Sequence, residues 1–159
     1  MQTSTDKPRD EVHAARAAKR AHAVALGVDE RFVSVMVERF YANIREDELL
    51  APIFAERISD WPRHLERMKT FWRSILFNSG EFSGNPMVKH MAIPGLEEFH
   101  FARWLEIFYA TLDAMGSRPD GATLVAERAR AIADSLLTGI TIRQDGISGS
   151  RAGRNLPHV

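Results

Sequence analysis

Four side chains stand where a plain helical packing unit has no need of them. His90 lies in a short apolar run with Met87, Val88, Met91 and Ile93, stiffened on either side by Pro86 and Pro94. A neutral imidazole presented inward from so short and rigid a piece suits an axial metal ligand. By itself it reads more readily as a partly exposed loop histidine. Tyr41 and Trp104 each fall on the apolar stripe of a helical pattern. A buried hydroxyl or indole N–H needs an acceptor. A backbone carbonyl is the common solution, and a shared cavity into which both donate is the other. His64 precedes Met68 by one turn and lies on the side of Phe71 and Ile75. It is either a boundary histidine at a helix start or a gate on the far side of a cofactor.

The remaining composition narrows the metal chemistry. The six histidines, at 13, 22, 64, 90, 100 and 158, form no pair at three- or four-residue spacing, and there is no Glu-x-x-His repeat. Arginines at 57, 63 and 67 leave the neighbourhood of His64 more positive than negative. A di-iron carboxylate or zinc hydrolase centre is therefore poorly supported. The chain has no cysteine. That excludes thiolate-held zinc, iron–sulfur clusters, thiol catalysis and thioether-attached haem. A haem held noncovalently asks for only one axial histidine, because its porphyrin supplies the other four nitrogens.

The elements that must position these groups read as helices. A chain of 159 residues suggests one domain. Apolar residues recur at three- and four-residue steps from Val33 to Ile44, from Trp61 to Leu76, from Leu96 to Met115 and from Ala122 to Arg143. Asp29 and Asp60 are N-caps for the first two of these helices. One helical turn fits at Met87–Met91, and the stretch around Pro52, Ile53 and Phe54 reads as a turn-rich connection. No strand or hairpin pattern occurs. The expected fold class is all-α, with an N-terminal extension over residues 1–27 that is partly helical, a domain over 28–145 and a flexible tail over 146–159. Lys and Arg together number 21, as do Asp and Glu, so no net basic field points to nucleic acid or an acidic membrane surface. No apolar run approaches the ~18 residues of a membrane span. Asp6, Arg9, Asp10 and Glu11 interrupt any secretory core, so a cytoplasmic location is expected.

The run from Arg39 to Phe54 resembles the second helix and following corner of truncated haemoglobins. Asp60 to Trp72, Gly84 to His90 and His100 to Phe108 are similar to the group III branch in particular. The likeness spans about residues 29–142, in order and with matching spacing. The Gly-Gly loop motifs of the other two groups are missing, as they are from group III. The resemblance implies a two-over-two helical sandwich enclosing haem b, with His90 as the proximal iron ligand. It implies that Tyr41 and Trp104 donate to a ligand on the distal face, with His64 as the gate there and Met68 one turn on. It implies that Phe54 packs on the porphyrin edge, that Phe40 and Phe71 help wall the pocket, and that Lys89 and Arg67 flank it as partners for the propionates.

The implied ligands are O2, NO, CO, peroxide and anionic haem ligands. A hydrogen bond to a charged partner is worth ~1.5–3 kcal/mol. Two donors at ~3–6 kcal/mol would slow ligand release by roughly two to four decades. Such retention suits redox or detoxification chemistry, peroxidase-like or nitric-oxide-dioxygenase-like and served by an unidentified reductase, better than oxygen delivery. Turnover itself stays open at this point. The competing readings are a haem-based sensor or electron carrier and a helical interaction module without haem.

Overall fold

A computed structural model describes residues 7–145, 153 and 155–159. Its helices are α1 (Lys7–Ala25), α2 (Glu30–Ile44), α3 (Ala51–Arg57), α4 (Trp61–Phe77), α5 (Pro86–Met91), α6 (Glu98–Ala114) and α7 (Pro119–Asp145). Local chemistry sets several of their starts. The Asp29 carboxylate accepts from the Phe32 N–H at 2.8 Å, and Asp60 accepts from the Arg63 N–H at 3.1 Å. Each satisfies a donor that a helix start leaves free. Pro62 and Pro86 sit in first turns, where a missing N–H costs nothing.

Helix α2 is the hub and packs on both α4 and α6; α6 packs on α7, and α5 on α7. Val33, Met36, Val37, Phe40, Tyr41 and Ile44 form the buried stripe of α2. Across it stand Trp72, Leu76 and Phe77 of α4, and Phe101, Leu105, Phe108 and Leu112 of α6. Phe108 is stacked between Trp72 and Trp104, with ring centroids 5.2 and 5.5 Å away. Gly139 allows α5 to approach α7, because a Cβ there would run into the Met87 thioether.

Two features depart from the sequence reading. The stretch around Pro52 is the helix α3: Pro52 lies in its first turn and breaks nothing. Within the N-terminal extension, α1 spans Lys7–Ala25 and docks on α4, with Ala23 buried and the Arg20 guanidinium 5.3 Å from the Phe77 ring centroid. Residues 146–152 and 154 of the expected tail lie outside the described residues. Its described remainder is docked: Leu156 is buried, and the Tyr109 hydroxyl donates to the Pro157 carbonyl at 2.9 Å.

Candidate functional site

Residues of α2, α3, α4, α5, α6 and α7 line a cavity of about 290 Å³. Tyr41, Phe54, His64, Arg67, Met68, Phe71, Lys89, His90 and Trp104 all line it. Nine of the ten residues singled out in the sequence thus meet at one place. The tenth, Phe40, is a correction. It is buried one layer behind the wall, edge-on to Tyr41, Trp104 and Phe108 at 5.0, 5.2 and 5.1 Å. Being on the same stripe as Tyr41 put it in the core rather than in the lining. It holds the two donors' rings in place.

His90 comes from α5, whose N-cap Asn85 accepts from the Val88 N–H. The His90 Nδ1 and the Pro86 carbonyl are 2.6 Å apart. A carbonyl only accepts, so Nδ1 carries the proton and Nε2 keeps its lone pair. Burial pushes the imidazole pKa down, opposed by the Pro86 hydrogen bond. The ring is thus held neutral and oriented, as a metal-binding imidazole is. Among the described residues no three His, Cys, Asp or Glu side chains converge as a metal cluster.

The donors come from α2 and α6. Tyr41 is 6 % exposed, and burial pushes its phenol pKa well above the usual range, so the hydroxyl keeps its proton. Among the described residues neither this hydroxyl nor the Trp104 indole N–H meets an acceptor. Both line the cavity, so the backbone-carbonyl alternative is not what the structure holds. The His64 ring stands edge-on to Tyr41, 5.0 Å between centroids and 89° between planes. Its Nε2 is buried without a hydrogen-bond partner. Burial, then the charges of Lys89 and Arg67, push its pKa down to about 4, so it is neutral at pH 7.

The two cations expected at the propionates differ. Lys89 is exposed at the cavity wall. Arg67 is turned to the 82–84 loop: its guanidinium lies 5.5 Å from the Phe82 ring centroid and donates to the Ser83 carbonyl at 3.4 Å. Arg57 adds a third cation to the lining, which contains no carboxylate. Arg57, Phe82, Leu96 and His100 are lining residues that sequence reasoning missed. Phe82 lies in a stretch read only as punctuation, yet its ring packs edge-on to Phe71 at 5.1 Å. Its isolation as a large aromatic in a polar loop was the available signal.

An apolar cavity lined by one oriented imidazole, by donors without acceptors and by cations fits a haem. A porphyrin brings apolar faces, an iron needing axial nitrogen and two carboxylates. The comparisons agree with that class. A family described as bacterial-like globin matches residues 24–137, and the chain belongs to it. Within it the chain is similar to the group III truncated kind. It is 27% identical over 110 residues to the group 3 truncated hemoglobin ctb of Campylobacter jejuni, covering 67% of this chain and 86% of that relative. A crystal structure of group III truncated hemoglobin from Campylobacter jejuni superposes with a TM-score of 0.64 at 27% identity, over 68% of this chain and 87% of that one. The fold is the globin fold, and haem binding follows from the family. No described helix is long and apolar enough to cross a membrane.

Proposed function

We propose that the chain holds haem b through the His90 Nε2 and binds O2, NO, CO or peroxide on the opposite face, in the service of redox or detoxification chemistry. The observation that carries this is the 2.6 Å contact of His90 Nδ1 with the Pro86 carbonyl, which leaves Nε2 as the nitrogen available to iron. When bound, haem iron supplies the ligand position and exchanges electrons with its ligand. The chain supplies the rest. Tyr41 and Trp104 would present two donors to a ligand bearing partial negative charge, in a site whose mainly apolar lining strengthens each hydrogen bond. The raised Tyr41 pKa keeps that hydroxyl a donor rather than a phenolate acceptor. Neutral His64 stands beside Tyr41 as the gate. Phe54, Met68 and Phe71, which line the cavity, would wall the porphyrin, and Lys89, with Arg57 in the same lining, would pair with its propionates. Ligand retention by two donors favours chemistry on the ligand, peroxidase-like or nitric-oxide-dioxygenase-like with an external reductase, over delivery.

Absorption spectra of the oxidised and reduced protein are the first test. His90→Ala is expected to lose most haem, and with it the thermal stability that a tightly bound group contributes by mass action. Haem retention with an unchanged axial spectrum would remove His90 from the ligand position. One observation favours a second reading, a sensor or electron carrier. The unpartnered His64 Nε2 is a nitrogen that a ligand-free iron would accept. A six-coordinate low-spin ferrous spectrum identifies that state, and a five-coordinate one excludes it.

A further inference from the structure

His64 is held by no hydrogen bond at its buried Nε2, so something else must fix where the gate stands. The only rings packed on it among the described residues are Tyr41 at 5.0 Å and Trp61 at 5.7 Å, the latter edge-on at 85°. Trp61 is the first residue of α4, one turn before His64, and its ring also meets Tyr41 at 6.1 Å. It is not part of the cavity lining; it stands behind His64, half-buried. On its outer side the guanidinium of Arg45, an exposed residue just past the end of α2, lies 4.5 Å from the indole centroid. From solvent inward the order is therefore cation, indole, imidazole, cavity.

We propose that Trp61, clamped from solvent by Arg45, is the latch that holds the His64 imidazole closed and so sets how fast a small ligand passes between solvent and the cavity. The latch rests on the haem-globin reading above. It assigns a positioning role to two residues outside the pocket. An edge-to-face contact is directional, so an indole at this distance restricts the imidazole to one orientation without any proton transfer. Arg45 restrains the indole in turn, because its guanidinium, 4.5 Å from the ring centroid, is attracted to the π face and links the end of α2 to the start of α4.

The test uses the haem-loaded full chain with carbon monoxide as the probe, read by its association rate after flash photolysis and by its C–O stretch. His64→Ala defines the open gate in both readouts. Trp61→Ala is expected to raise the association rate about tenfold, the loss of roughly 1.4 kcal/mol of ring contact. It should also add a second C–O band at the His64→Ala frequency. Trp61→Phe keeps a ring edge and should retain the single closed band. Arg45→Gln changes only a surface side chain, and should raise the rate about two- to fivefold, the equivalent of ~0.5–1 kcal/mol of cation–π contact. If Trp61→Ala and Arg45→Gln leave rate and band unchanged while His64→Ala alters both, the latch is overturned and the function stands. Equal acceleration by Trp61→Ala in the His64→Ala background also overturns it, since the indole is then a barrier of its own. A wild-type protein with no haem absorption and no carbon monoxide binding overturns the function itself.

Discussion

A single imidazole is legible in a sequence only through its company. His90 could be singled out because prolines bracket it and apolar residues surround it, and the structure shows why that matters: Pro86 supplies the carbonyl that orients the ring. Tyr41 and Trp104 were legible because polar tips on apolar stripes need an explanation. What no spacing rule yields is that they lack acceptors, since that depends on which groups the fold brings within reach. Tyr41→Phe removes one donor and keeps the ring. The expected outcome is O2 dissociation about 10- to 100-fold faster, from a charge-assisted hydrogen bond of ~1.5–3 kcal/mol. An unchanged rate in stopped flow takes Tyr41 out of the distal chemistry. His64 gives a pH prediction. Its folded-state pKa of about 4 lies below the ordinary value of 6.5, so the folded chain resists protonation that the unfolded chain accepts. The stability this group contributes is present above pH 6.5 and declines as pH falls toward 4. Over the same range the neutral gate keeps ligand association flat, and acceleration sets in only near pH 4, as the imidazolium, repelled by Lys89 and Arg67, leaves for water. A step in the association rate centred at pH 6.5 would contradict that burial.

At the scale of elements, the long periodic helices and the single turn of α5 were readable, and α3 was not. Helix α3 has seven residues, no buried stripe and a proline, so its pattern resembles a turn; it is a helix because Pro52 falls in the first turn and because tertiary contacts anchor the corner before it. That anchor is Asp47. Its carboxylate accepts from the Leu50 N–H at 3.1 Å and pairs with Arg103 of α6 at 2.8 Å. It thereby ties the corner that brings Leu50 and Phe54 to the cavity. Burial alone would raise the Asp47 pKa, but the hydrogen bonds and the charge of Arg103 outweigh it and hold the carboxyl below the usual 3.8. A depressed carboxylate stabilises the fold above its unfolded pKa, and that contribution is lost as pH falls through the folded value. Asp47→Asn is expected to cost about 1 kcal/mol at pH 7, because Arg103 is half in solvent and the pair is screened. In urea titrations the gap between wild type and variant should narrow below about pH 4; a gap that stays constant to pH 3 would show that the charge of Asp47 does not matter to the corner.

On the scale of the whole molecule, the family match begins at residue 24, inside the end of α1. The apolar residues of α1 are mostly alanine, which bury little area each. Its packing on α4 works through other atoms. Ala23 enters the core, the stem and guanidinium of Arg20 cover Phe77 and pair with Glu30 at 2.9 Å, and Arg118 donates to the Ala25 carbonyl at 2.7 Å. None of this touches the cavity, whose lining begins at Tyr41. Removal of residues 1–22 therefore separates stability from haem binding. The expected outcome is an unchanged haem-to-protein ratio and Soret band with a lower melting temperature. Uncovering a side chain like Phe77 costs ~1.5–3 kcal/mol, and each kcal/mol moves the midpoint of a chain this size by about 2–4 °C. Calorimetry of the haem-loaded forms checks the shift. Loss of haem at ambient temperature would instead mean that α1, through α4, holds the His64 wall in register, and that the residues ahead of the family match belong to the site.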